Sequence, residues 1–237
     1  MSLPVVVLAG GLATRLQPVT ERIPKSLVEV AGEPFAVHQI ELLRRHGLTD
    51  ITFLLGHLGE TIAEFLGDGS RWDVHLRHVF DGPRVLGTGG AIRRALPELS
   101  DLFFVLYGDS YLECDYGAIE RAFLESNKSG LMTVYRNEDR FDRSNVCYAD
   151  GRIVRYDKQC PTLEMRHIDY GLGAFRKSVF AGCDDDKAFD LVAVYQTLLA
   201  KDDLAGFDVP DRFYEIGSPS GLEETRTYLA AKGIWNR

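Results

Sequence analysis

The sequence has no Gly-Lys dipeptide and no G-x-G-x-x-G after its first apolar run, so it carries neither a P-loop nor a dinucleotide-binding fingerprint. It is short of positive charge. Its 27 Lys and Arg face 35 Asp and Glu, a net charge of -8, which excludes the broad basic face that a nucleic acid or an anionic membrane surface requires. Cysteine is scarce: Cys114, Cys147, Cys160 and Cys183 show no C-x-x-C spacing, as expected of reduced thiols rather than a disulfide framework or zinc site. The six histidines (His38, His46, His57, His75, His78, His167) show no metal-ligand spacing and no H-E-x-x-H. No apolar run approaches the ~20 residues of a membrane span, and no basic segment leads into an apolar stretch as in a secretory leader. A cytoplasmic protein without nucleic-acid or membrane partners is expected.

What is present is an alternation of short apolar runs with helical patterns, over 237 residues with 45% hydrophobic content and no repeat or linker. That alternation predicts an α/β fold with a largely parallel sheet in one domain, residues 1–237. Pro4 to Leu8, Ile51 to Leu55 and Leu102 to Leu106 lack polar alternation and are predicted as strands buried on both faces. Val74 to Val79 is a further strand. Helices are predicted over 34–46, where Pro34 suits the start and Gly47 the left-handed stop, over 60–66, from Gly90 to Leu96 after a Gly-rich turn, and over 116–125. Beyond residue 127 the pattern changes to strands at 131–135, 146–148, 153–156 and 170–175, with Asp150-Gly151 as a hairpin turn. A helix over 188–200, a short strand over 213–216 and a last helix opened by Ser218-Pro219 complete the expectation. The first half, 1–127, is thus nucleotide-type, and the second, 128–237, adds strands to the same sheet. The predicted class is a three-layer α/β/α, Rossmann-like domain with a mixed, mostly parallel sheet.

Directly after the first strand come Leu8, Ala9, Gly10, Gly11, Leu12, Ala13, Thr14, Arg15 and Leu16. Glycines there let backbone N–H groups turn toward a phosphate, and Arg15 supplies a fixed fork of donors. Pro24-Lys25-Ser26 brings a second cation. A lone Gly-Gly pair would be a strand-ending turn, with Arg15, Arg22 and Lys25 as surface charges; here strand, glycines, Arg and Lys occur in order. Gly87-Thr88-Gly89-Gly90 is a second Gly-rich strand-to-helix segment. Asp109 ends a buried strand at the sheet's carboxyl edge, where α/β proteins bind ligands. Alone it would be an ordinary turn former or cap.

The stretch from Leu8 to Pro34, LAGGLATRLQPVTERIPKSLVEVAGEP, closely resembles the signature of the sugar-1-phosphate nucleotidyltransferases, GGxGTRLxPxTxxxPKxLxxVxGxP. The resemblance continues through Leu86 to Ala91, Tyr107-Gly108-Asp109 and Tyr214 to Pro219. It implies that Arg15, Lys25 and Asp109 are catalytic, Arg15 meeting the β/γ-phosphates and Lys25 the sugar phosphate. It implies that Leu8, Ala9, Gly10, Gly11, Gly87, Thr88 and Gly89 meet the nucleotide, and that Asp109 and Glu215 hold Mg²⁺. Asp157-Lys158 resembles the family's Glu-Lys-Pro element, with Gln159 in place of Pro, so Lys158 is expected at the sugar phosphate beside Lys25, with Asn145 and Asp169 near the sugar. Two departures stand out: Ala13 replaces the usual third glycine, and Glu215 stands where the family more often has Asp.

The implied reaction is attack of a sugar-1-phosphate oxygen on the α-phosphorus of an NTP, with pyrophosphate leaving. A phosphate monoester is largely ionised near neutral pH, its second pKa being ≈ 6, so no general base is needed. The absence of a Ser/His/Asp arrangement agrees with this. Asp81 has the acceptors for guanine N1 and N2 hydrogens and equally suits a surface turn. GTP with a mannose- or heptose-type sugar phosphate is favoured; a UTP- or dTTP-using enzyme and a catalytically silent, nucleotide-sugar-binding regulatory homologue are the alternatives. No hexapeptide β-helix, and hence no acyltransferase activity, is expected. Dimers and tetramers are common in the family, which leaves a homo-oligomer open.

Overall fold

The computed structural model describes residues 2–11, 14–16, 20, 23–82, 84–182 and 188–233; the Ala13 departure, Arg22 and Cys183 lie outside them. The first half is built from β1 (Val5–Ala9), the short pair β2 (Glu29–Val30) and β3 (Glu33–Pro34), α1 (Phe35–Arg45), β4 (Asp50–Leu55), α2 (Gly59–Leu66), β5 (His75–Phe80), α3 (Gly87–Ala95), β6 (Leu102–Tyr107), β7 (Ser110–Tyr111) and α4 (Tyr116–Ser126). The second is built from β8 (Gly130–Arg136), β9 (Val146–Ala149), β10 (Arg152–Tyr156), β11 (His167–Arg176), α5 (Ser178–Ala181), α6 (Leu191–Ala200), β12 (Leu204–Asp208), β13 (Tyr214–Glu215) and α7 (Pro219–Lys232).

One nine-stranded sheet runs β10-β9-β11-β6-β1-β4-β5, with β8 on β11 and β12 on β8. β6, β1, β4 and β5 are parallel, and β11 enters antiparallel to β6. The apolar runs are continuous because each face of this sheet has its own core. Val5, Val7, Phe53, Phe104 and Leu106 pack with α1, α2 and α4 on one side, and Val6, Leu54, Phe103 and Val105 pack with α3, α5 and α6 on the other. That is the three-layer α/β/α arrangement expected. A third cluster, of Leu16, Val28, Val30, Phe35, Leu42, Tyr111, Ile216 and Leu222, fastens the segment after β1 to β7, β13 and α7. It thereby fixes Arg15, Lys25 and Glu215 relative to the end of β6.

Turn chemistry sets the element ends. Gly47 takes φ +74° after α1, and Asp150 and Gly151 take φ +50° and +74° between β9 and β10. Asp115 caps α4 by accepting from Ala118 N at 2.8 Å, and Ser218 caps α7 by accepting from Gly221 N at 3.0 Å.

β12 is not among the expected strands, and two helices start elsewhere than expected. α3 begins at Gly87, not Gly90, and the helix expected from 188 begins at Leu191. Both follow from residues 188–190 crossing the start of α3. Phe189 O accepts from Gly89 N (3.0 Å) and Gly90 N (3.2 Å), while Phe189 N donates to Leu86 O. The first-turn N–H groups are thus capped by chain, which offsets the weak helix propensity of glycine. No helix among the described residues is long and apolar enough to cross a membrane.

Candidate active site

The carboxyl ends of β1, β4, β5 and β6 open onto a cavity of about 260 Å³. Leu8, Ala9, Gly10 and Gly11 line it from the end of β1, Asp81 from the end of β5, Gly87 and Thr88 from α3, and Tyr107 and Asp109 from the end of β6. Lys25 and Asp190 complete the wall. A second cavity of about 510 Å³ lies beside it, lined by Arg15, Asn145, Lys158, Asp169, Glu215 and again Tyr107 and Asp109. The two spaces therefore share one strand end. The halves of the chain interlock there, since Asp190 reaches the first cavity and Arg15 the second.

The Asp109 carboxylate meets a cation across this strand end. Its Oδ2 lies 2.6 Å from Lys25 Nζ, both side chains about one-fifth exposed. Glu215 is carried to the same place by β13, where it pairs with Ser110 of β7, while Ile216 N donates to Asp109 O at 2.9 Å. The longer Glu side chain curls back onto its own backbone. One oxygen accepts from Gly217 N and the other from Ser218 Oγ at 2.5 Å. A Cβ built on Gly217 would lie 2.7 Å from Glu215 Oε2, 2.9 Å from Asp109 Oδ2 and 3.1 Å from an Arg15 guanidinium nitrogen. Both carboxylates and one guanidinium thus lie close around Gly217.

On the far wall Lys158 Nζ sits 3.0 Å from Asp169 Oδ2, whose side chain is 1% exposed. Burial works against the Lys158 ammonium, but Asp169, with Tyr107 and Asp109 beyond it, raises its pKa and keeps it charged. The Asp169 carboxylate also accepts from Tyr156 OH (3.0 Å) and Gly171 N (3.1 Å), and Asn145 Oδ1 accepts from Asp169 N (3.0 Å). This network orients Lys158 toward the second cavity wall it shares with Asn145.

Asp81 Oδ2 lies close over the β1 loop, 2.8 Å from where a Cβ on Gly10 would stand. Burial pushes its pKa up to about 6, with Arg94 pulling weakly the other way. Gly87 takes φ +72° and presses against Phe189 O, so a side chain there is excluded twice over. Gly89 is buried against the Phe189 ring and does not line the cavity. The remaining expected residues fall on one cavity or the other. Lys25 lines the first cavity and Arg15 the second. His57 and Asp190 line the first cavity without a sequence signal that singles them out. Asp190 Oδ1 lies 3.4 Å from Thr88 N, a contact across more than a hundred residues that no local pattern announces.

Comparison with known proteins matches residues 4–144 to the family model described as nucleotidyl transferase. The chain is 34% identical over 235 residues to the N-acetylmuramate alpha-1-phosphate uridylyltransferase of Neisseria meningitidis, covering 97% of this chain and 98% of that one. It is 32% identical over 205 residues to the UTP--glucose-1-phosphate uridylyltransferase of Synechocystis, covering 78% of this chain and 52% of that protein. It spans about half the length of several curated relatives that it matches. Among solved structures, HddC from Yersinia pseudotuberculosis complexed with GMP-PN superposes with a TM-score of 0.78 at 26% identity, over 96% of this chain and 99% of that one.

Proposed function

Because the chain belongs to the nucleotidyl transferase family, we propose that it joins an NTP to a sugar 1-phosphate and releases pyrophosphate, using GTP and a mannose- or heptose-type sugar phosphate. The observation that carries the reaction class is the pair of cavities meeting at Tyr107 and Asp109. A nucleotide in the first and a sugar phosphate in the second bring the nucleophilic oxygen and the α-phosphorus to one strand end. Holding two reactants so makes the step effectively unimolecular.

The cations divide by cavity. Lys25, on the nucleotide side, neutralises the α-phosphate and the departing pyrophosphate. Arg15 and Lys158, on the other side, hold and orient the sugar phosphate, while Asn145 and Asp169 shape the sugar end. Asp109 and Glu215 would hold Mg²⁺. They are hard oxygen donors brought close together beside Gly217, and Asp109 already carries a cation, the Lys25 ammonium. Magnesium takes one or two protein carboxylates and completes its shell with phosphate and water. When bound, the ion would add positive charge where phosphoryl charge develops.

The base preference rests on Asp81. When ionised it is acceptor-only, and guanine offers two adjacent N–H donors where uracil and thymine offer one. The binding of GMP-PN by HddC, whose fold this chain shares, adds support. Protonation of Asp81 near pH 6 removes one acceptor. The KM for GTP is accordingly expected to rise as pH falls through about 6, and Asp81→Asn should raise it roughly 10- to 100-fold at neutral pH and abolish that pH dependence. A panel of NTPs against mannose, heptose and glucose 1-phosphates, scored by pyrophosphate release across the acid-to-neutral range, tests both statements. Best turnover with UTP, indifferent to Asp81→Asn, would replace guanine by uracil; binding without turnover for every pair would leave a regulatory homologue.

A further inference from the structure

The turn that presents Asp109 is held by a side chain from outside the phosphate-binding segments. Gln39 lies in the middle of α1 and is 1% exposed. Its amide nitrogen donates to Tyr107 O at 3.1 Å and to Ser110 O at 2.7 Å, the carbonyls before and after the Gly108-Asp109 pair. Only the NH₂ end of the amide can face two carbonyls, so the orientation is unambiguous. It leaves Gln39 Oε1 buried with no hydrogen-bond partner among the described residues. A residue kept for packing alone, leucine or methionine, would fill the same space without an orphaned oxygen. The clasp is thus specific to the turn, and the turn carries the Asp109 carboxylate to both cavities.

We propose that Gln39 is a positioning residue for the cation site: by clasping the Tyr107 and Ser110 carbonyls it holds the turn that presents the Asp109 carboxylate beside Glu215. The proposal rests on Asp109 being a metal carboxylate. Groups that orient a metal ligand commonly change metal affinity by about 10- to 100-fold when removed. Gln39→Met keeps the length of the side chain and removes both donors. Gln39→Glu keeps the length and, when protonated in this buried site, one donor.

The test titrates Mn²⁺ alone into each full-length protein, following the electron paramagnetic resonance signal of the free ion, alongside thermal melting and the Mg²⁺ dependence of pyrophosphate release. Asp109→Asn serves as reference. Gln39→Met should weaken Mn²⁺ binding about 10-fold and raise the half-saturating Mg²⁺ by a similar factor, with Gln39→Glu between it and the wild type. Should Gln39→Met fail to fold, the Gln39→Glu shift alone decides. Unchanged Mn²⁺ binding in the folded Gln39 variants, with binding lost in Asp109→Asn, overturns the role of Gln39 and leaves Asp109 in place. Unchanged binding in Asp109→Asn removes the metal site itself and the positioning role with it.

Discussion

Asp109→Asn is expected to lose turnover by about 10²- to 10³-fold, the scale of removing one charge-stabilising group from a reacting centre, with little change in melting temperature. The substitution preserves shape. Every backbone anchor of the turn is also preserved: Gly108 N to Leu8 O, Ile216 N to Asp109 O, and the two Gln39 bonds. What goes is the charge that holds Lys25 at 2.6 Å and that would hold the metal. Pyrophosphate release at saturating substrates, with a parallel thermal melt, measures both parts. A loss smaller than about tenfold would take Asp109 out of the chemistry. A collapse in melting temperature would make it a structural residue instead.

Gly217→Ala is expected to cost about 10-fold in turnover, although the residue bears no functional group. Its backbone is not in the left-handed region, so alanine is tolerated conformationally. The obstacle is what a methyl would meet: Glu215 Oε2 at 2.7 Å, Asp109 Oδ2 at 2.9 Å and an Arg15 nitrogen at 3.1 Å. Each must move aside by some tenths of an ångström, and misplacements of about 1 Å at a reacting centre cost about 10²-fold. The loss should fall on kcat and on the Mg²⁺ requirement, while the protein melts near its normal temperature. Activity close to that of the wild type would mean that these three groups do not meet at Gly217 in the working protein.

The buried strands β1, β4 and β6 are legible because a sheet covered on both faces demands unbroken apolar runs, and Val5 to Leu8 and Leu102 to Leu106 have nothing else. The glycines of 87–90 read as a loop because propensity speaks only of the local chain. The partner that makes them a helical turn is Phe189 O, a hundred residues on. β12 escapes a sequence reading for a related reason: Leu204–Asp208 carries a central glycine and little alternation, and becomes a strand through parallel pairing with β8. The motifs name the glycines, cations and carboxylates where the two cavities meet, since phosphate chemistry restricts the residue types, but not wall residues such as His57, Asp190, Phe141 and Phe213. The motifs do not say which of the two cavities each cation lines. Gln39 is invisible in the sequence, where a glutamine among apolar neighbours on a helix carries no signature.

β11 lies between β6 and β8, so the middle of the sheet is closed by a strand made long after its neighbour. At ≈ 5–20 residues per second, the stretch from Tyr107 to Arg176 takes on the order of 10 s to synthesise. For that time the outer edge of β6 offers unpaired N–H and C=O groups flanked by Phe103 and Phe104, the kind of edge that recruits other chains. Yield of soluble protein during expression is then governed by how fast β11 docks. A substitution that slows its docking, such as a polar residue at Leu172 or Ala174, reveals itself first as aggregate formed on the ribosome's timescale, before any purified protein exists to melt.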